Sequence, residues 1–220
     1  MPEKIAFANL PTRIDRLDRI SDELGTNIWI KRDDQTGTEV SGNKVRKLEF
    51  SVKEALDKGC DYLITCGGVQ SNHARATAAV AAKLGLGCLL VLRGTENQIP
   101  EGNLFLDKMF GTEIKFITPD EYKNSRTEIM KEEADNLLKL GHKAYIIPEG
   151  ASNGIGSIGY VNTYSEILDQ EKSMGIEFDA IAVAVGSGGT YAGLVYGDEM
   201  NGCKKDIIGF RSEEHTSELQ

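Results

Sequence analysis

Two lysines stand three residues apart in the stretch Ser41-Gly42-Asn43-Lys44-Val45-Arg46-Lys47. Residues at that spacing share a helix face, so a helix beginning here would aim both amines the same way. One could attack a carbonyl carbon while the other reaches an anion. A solvated basic first turn is the plainer alternative, although cations are disfavoured at the positive end of a helix. A second set, Gly186, Ser187, Gly188, Gly189 and Thr190, follows an apolar run and precedes a helical pattern. Glycines let backbone N–H groups converge on one point, and the start of the next helix adds its positive end. Ser187 and Thr190 add hydroxyls. This is a phosphate cradle or, more simply, a tight strand-to-helix turn. A third set, Ser71, Asn72 and His73, closes the strand-like run Tyr62 to Gly68 and opens a helix. Parallel sheets bind ligands at such strand ends; Ser71 or Asn72 could equally be only a helix cap.

The phosphate carrier can be narrowed. A dinucleotide fingerprint needs glycine at position 191, where Tyr191 stands, and an acid at the end of the next strand, which Asp206 to Phe210 lacks there. The Walker pattern has no Gly-Lys-Ser/Thr to follow its loop. A small phosphorylated cofactor remains. Pyridoxal phosphate requires an imine-forming lysine, an anion cradle, a donor beside the ring hydroxyl and a partner for the ring nitrogen, and the first three have candidates in these sets.

The elements that must position these groups alternate along the chain. Strand patterns cover 27–34, 62–68, 88–94, 113–118, 144–150, 180–189 (ending in the glycine run) and 206–210. Helix patterns cover 44–59, 71–85, 102–111, 126–141, 158–175 and 190–200. Continuous apolar strands between helices predict an α/β fold with parallel sheets covered on both faces. The chain has 220 residues, 40% hydrophobic and 27% charged, with a net charge of −9. It is long enough for a substantial core, and its acidity argues against a nucleic-acid surface. No apolar run is long enough to span a membrane and no signal-peptide core opens the sequence. Cys60, Cys66, Cys88 and Cys203 form no C-x-x-C pair, and only His73, His142 and His215 could join them. No metal site is expected, and sparse cysteine fits reduced thiols in a cytoplasm.

Taken in order, "SGNKVRKLEF", "GGVQSNHARATAAVAAKLGL" and "GSGGTYAG" resemble the D-cysteine desulfhydrase and 1-aminocyclopropane-1-carboxylate deaminase family, pyridoxal-phosphate enzymes of the tryptophan-synthase-β-like fold (fold type II). The similarity runs from about Leu10 to Phe210. It implies that Lys44 carries the Schiff base and that Lys47 reaches the cofactor phosphate with Gly186, Ser187, Gly188, Gly189 and Thr190. Asn72 is then beside the ring hydroxyl and Ser71 at the reacting face, while the turn Ser71–Asn72–His73 receives the substrate carboxylate. The family usually has glycine where Ser41 stands. "SNH" and "GSGGT" lean toward D-cysteine desulfhydrase, with β-elimination to pyruvate, sulfide and ammonia. Ring-opening deamination of 1-aminocyclopropane-1-carboxylate is the alternative, and a catalytically inactive phosphate-binding fragment is a third. The expected architecture is two open parallel-sheet lobes, a smaller one at 37–148 and a larger one built from 1–36 and 149–210. The family continues past Phe210, so the larger lobe is expected to lack its C-terminal part, including the ring-nitrogen partner. A homodimer is expected at full length, with a small amino acid as substrate. The last ten residues, 211–220, can be encoded by a common sequencing adapter and are expected to be an artefact.

Overall fold

The computed structural model describes residues 2–96, 99–202 and 205–211. In chain order its elements are β1 (Ile14–Arg16), α1 (Asp18–Leu24), β2 (Trp29–Lys31), α2 (Val45–Asp57), β3 (Tyr62–Gly68), α3 (Asn72–Leu84), β4 (Gly87–Arg93), α4 (Gly102–Met109), β5 (Glu113–Ile117), α5 (Pro119–Lys139), β6 (Ala144–Ile146), α6 (Gly154–Met174), β7 (Ala180–Val185), α7 (Gly189–Met200) and β8 (Asp206–Arg211). Cys203 and residues 212–220, hence all of the expected artefact except Arg211, lie outside the described residues. Arg211 closes β8 opposite Val185.

The expected parallel α/β order is present. Strands β5-β4-β3-β6 form one parallel sheet, and β7 and β8 pair in parallel. One face of the four-stranded sheet presents Leu63, Leu90 and Leu92 to α2 and α3, through Val45, Leu48, Ala74 and Ala78. The other presents Ile64, Cys66 and Val91 to Tyr122, Met130 and Leu137 of α5. The continuous apolar runs of β3 and β4 are therefore buried on both sides, as parallel strands require. The alanines of α3 leave room for the helix to lie close to the sheet.

Several features depart from expectation. Helix α5 begins at Pro119 instead of 126, because Thr118 and Glu121 form a capping box and proline suits the first helical position. Helix α6 begins at Gly154 instead of 158, capped by the Asn153 side chain, which accepts from the N–H of Gly156. And β7 and β8 are covered on one face only. Ile181, Val183 and Ile207 pack with Tyr160, Tyr164 and Leu194 of α6 and α7, while Ile208 and Phe210 are exposed. The short antiparallel pair β1–β2 is an addition, since only β2 had a strand pattern.

Helix α6 is the spine joining the two sheets, and glycine sets its spacing. A Cβ at Gly159 would lie 2.3 Å from the carbonyl oxygen of Arg46 in α2. At Gly193 of α7 it would lie 2.4 Å from the carbonyl oxygen of Ser157 in α6. Backbone cannot swing aside as a flexible side chain can, so these contacts admit only glycine. Gly159→Ala should lower unfolding stability by about 1–3 kcal/mol, read as a lower urea midpoint; an unchanged midpoint would contradict the close α2–α6 crossing. Amide exchange should be slower in β3 and β4 than in β7 and β8, whose outer faces are open to water; equal protection would contradict the one-sided burial.

Candidate active site

Lys44 caps α2 and Lys47 lies in its first turn. No acidic residue sits in that turn to balance them. The solvated basic face is excluded: Lys47 is only 1% exposed, and Lys44 is half-buried. Neither forms a salt bridge among the described residues. Lys47 Nζ instead donates to the Gly150 carbonyl at 3.0 Å and to Ser152 Oγ at 3.2 Å. Lys44 Nζ donates to Asn43 Oδ1 at 3.3 Å. Burial lowers the Lys44 amine from its ordinary value. Burial, and then the nearby charge of Lys44, brings Lys47 down to about 7.

The cradle lies against Lys47. Gly188, with φ of 84°, turns the chain into α7. Ser152 Oγ accepts from the Gly189 N–H at 3.2 Å and shares a hydrogen bond with Ser187 Oγ at 2.7 Å. Asn43 Nδ2 approaches Thr190 Oγ1 at 3.5 Å. A Cβ at Gly189 would come within 2.7 Å of Lys47 Nζ, and one at Gly150 within 2.2 Å of Ser187 Oγ. Gly150 also has a φ of 64°, so glycine is required there twice over. The adjoining cleft has a volume of about 440 Å³ and is lined by Pro148, Glu149 and Ser152 on one side and Gly186, Ser187 and Gly188 on the other. Lys44, Lys47, Ser187, Gly189 and Thr190 are thus brought into one constellation, with Gly186 and Gly188 on its wall.

The third set has a different geometry. Ser71 is the N-cap of α3, its Oγ accepting from Ala74 N at 3.2 Å. Asn72 is exposed and accepts from Asn103 Nδ2 at 2.9 Å. His73 turns inward, 4% exposed, with Nε2 2.8 Å from Thr65 Oγ1. Burial first, then the charges of Lys44 and Lys47, push its imidazole down to about 3, so it stays neutral near pH 7. The Asn72 side chain lies at the surface and Ser71 is half-buried, so of the three residues His73 alone is withdrawn from water.

Sequence reading missed the residues that hold α2 in place. Arg46, 2% exposed, forms a fork to Asp33 at 2.9 and 2.8 Å and another to Glu166 at 2.9 and 3.0 Å. Lys31 adds a bond to Glu166 at 2.6 Å, and Tyr160 donates to Asp33 at 2.7 Å. Burial pushes the Glu166 carboxyl up, but Arg46 and Lys31 outweigh it and hold the group below its usual range. Gly150 and Ser152 were also missed, although the run Glu149-Gly150-Ala151-Ser152-Asn153-Gly154 has the composition of a loop rich in turn-forming residues.

Among the described residues no cluster of His, Cys, Asp and Glu could hold a metal ion, and no helix is long and apolar enough to cross a membrane. The donor set suits a phosphate monoester instead: an amine, three hydroxyls, a glycine turn and a helix start.

Residues 5–218 match the family described as pyridoxal-phosphate dependent enzyme, and the chain belongs to it. Among its relatives, a Pyrococcus abyssi protein named for 1-aminocyclopropane-1-carboxylate deaminase is 45% identical over 209 residues, covering 94% of this chain and 62% of that protein. D-cysteine desulfhydrase of Klebsiella pneumoniae is 42% identical over 211 residues, covering 94% of this chain and 63% of its own. The crystal structure of an ACC deaminase homologue superposes with a TM-score of 0.86 at 40% identity, over 99% of this chain and 66% of that one. This establishes the fold type II architecture expected from the motifs. The chain spans about three-fifths of the length of the curated relatives it matches.

Lys47 predicts a pH dependence. Anion binding favours its charged form and so raises its pKa above the free value of about 7. Binding then takes up a proton above that pH, and affinity falls as pH rises. With pyridoxine 5′-phosphate, which lacks the aldehyde, the dissociation constant should rise by up to about tenfold per unit above pH 7, measured by fluorescence titration at fixed ionic strength. Lys47→Met should remove the slope. A flat profile for the parent would exclude Lys47 as the phosphate's cation.

Proposed function

We propose that the full-length protein is a pyridoxal-phosphate-dependent lyase or deaminase of small amino acids, and within that class a D-cysteine desulfhydrase producing pyruvate, sulfide and ammonia. The observation that carries the class is the pair of amines on one face of α2, Lys47 buried and Lys44 half-buried, without carboxylate partners among the described residues, against a cradle of glycine and hydroxyl groups. A buried cation without a counter-charge calls for an anion. When bound, the cofactor supplies an electron sink for negative charge at the substrate α-carbon. Lys44 is assigned to covalent attachment and to removal of the α-proton at Nζ, tasks that its lowered proton affinity favours. Lys47, Ser187, Thr190 and the start of α7 hold the phosphate. The Ser71 oxygen is engaged by Ala74 N, leaving its hydroxyl proton to donate to a substrate. The α3 start then receives the substrate carboxylate, and Asn72 is assigned to the ring hydroxyl. The smaller lobe is taken as 37–148 and the larger as 1–36 with 149–210.

The preference for D-cysteine rests on His73 and the Gly186–Thr190 loop. Deamination of 1-aminocyclopropane-1-carboxylate is supported equally by the relatives' names, and an Arabidopsis thaliana relative 41% identical over 213 residues is named for both activities. Sulfide released from D-cysteine, against 2-oxobutanoate from the cyclopropane amino acid, separates the two. The class itself is tested by near-visible absorbance after adding pyridoxal phosphate, made permanent by borohydride. Lys44→Ala should abolish borohydride-fixed label, while Lys47→Ala should retain it but weaken cofactor binding about 10–100-fold, the loss of a charge-assisted contact. The reverse outcome would exchange the two assignments. Ser71→Ala should keep the cofactor and lower turnover; altered cofactor affinity at normal turnover would count against placing Ser71 at the substrate.

A further inference from the structure

Helix α3 carries, one turn beyond Ser71, an arginine to which nothing above assigns a role. Arg75 is 6% exposed, and its backbone N–H bonds back to the Ser71 carbonyl at 3.1 Å. Its guanidinium points away from α3 to the segment that leads into Lys44. Nη1 donates to the Glu39 carbonyl at 2.9 Å and to Ser41 Oγ at 3.2 Å, and Nη2 donates to the Ser41 carbonyl at 3.2 Å. Among the described residues Arg75 forms no salt bridge. It serves as a planar fork for backbone oxygens, a geometry that lysine's point charge does not reproduce. The segment it grips is held at two further points. Val40 is buried in the main core, and Thr36 Oγ1 donates to the Gly42 carbonyl at 3.0 Å. Gly42, at a φ of 93°, then turns the chain directly into Asn43 and Lys44.

We infer that Arg75, with Ser41 as its side-chain acceptor, is a positioning residue that sets the Lys44 amine against the Ser71–His73 turn. The inference rests on the reading of Lys44 as the attachment point. The phosphate cradle is held chiefly by other residues, Ser152 and Lys47, and meets the gripped segment through the long approach of Asn43 Nδ2 to Thr190 Oγ1 at 3.5 Å. Arg75 therefore governs attachment geometry and not phosphate affinity, a separation that a merely structural arginine would not produce. A shift of the Lys44 loop by about 1 Å is enough to slow a positioned reaction substantially.

The 220-residue chain is tested with two probes, pyridoxal phosphate and 4-deoxypyridoxine 5′-phosphate, which has no aldehyde. Attachment is read as the rate of borohydride-fixed label on the Lys44 peptide, and affinity as the analogue's dissociation constant. In Arg75→Met, attachment should slow on the order of tenfold or more, with analogue affinity within about twofold of the parent. Arg75→Lys should recover only part of the rate. Ser41→Gly, which removes one hydrogen bond, should slow attachment about threefold and is mild enough to decide the matter if Arg75→Met does not fold. Attachment at the parental rate in folded Arg75→Met, or in Ser41→Gly where that is the only folded variant, would overturn the assignment. So would equal loss of attachment and analogue binding. Failure of the unsubstituted chain to label at Lys44 would instead overturn the cofactor reading, and would be seen before any substitution is made.

Discussion

The crossing of α2 over α6 is the contact on which the site depends. Gly159 lets the two backbones meet, and Arg46 fixes them there through Asp33 and Glu166. Arg46 is nearly inaccessible to water. An unpaired guanidinium at that depth would be strongly destabilising, but two carboxylates, both gripped bidentately, compensate it. Lys31 and Tyr160 each add a second bond to an oxygen that Arg46 already grips, Glu166 Oε1 and Asp33 Oδ2. Directional bonds of this kind do more than attract. They define the rotation of α2 about its axis, and with it the direction in which Lys44 and Lys47 point.

The contrast with those two lysines is informative. Arg46 lies between them in sequence, as buried as Lys47 and fully compensated. Lys47 is just as deep, yet has only a carbonyl and a hydroxyl as partners, and the charge of Lys44 is close enough to lower its proton affinity. Arg46, whose role is structural, is supplied with two acids. Among the described residues no acid forms a salt bridge with either lysine. The groups that face Lys47 are hydroxyls, glycine turns and a helix start, the surroundings a phosphate dianion prefers.

The two halves of the site rest on unequal supports. The lysines and the Ser71 turn are backed by a sheet buried on both faces, whereas the Gly186–Thr190 loop extends from β7, whose outer face is open. The packing of α7 onto α6 through Gly193 and Gly197 is what couples the loop to the rest. Both glycines sit where a side chain would strike Tyr160 or Tyr164, so the loop's position is inherited from the same helix that positions α2.

Much of this was legible in the sequence. The order of strands and helices follows from apolar periodicity and turn residues, because those signals are local. The spacing of Lys44 and Lys47 fixes their common helix face for the same reason, and the glycine run at 186–189 declares a turn whatever surrounds it. Depth was not legible. Nothing within "SGNKVRK" distinguishes a solvated lysine from one at 1% exposure, since burial is conferred by α6 and the Gly150–Ser152 loop, more than 100 positions away. Nor could the sequence choose Arg46 over its neighbours as the structural cation, or show that Ser152 bridges lysine and cradle. Those roles depend on pairs such as Arg46–Glu166 and Lys47–Ser152, separated by 120 and 105 residues. The sequence by itself determined which elements form and which side chains could do chemistry. Tertiary packing alone decided which charges would be compensated, because compensation depends on distances that only the folded chain creates.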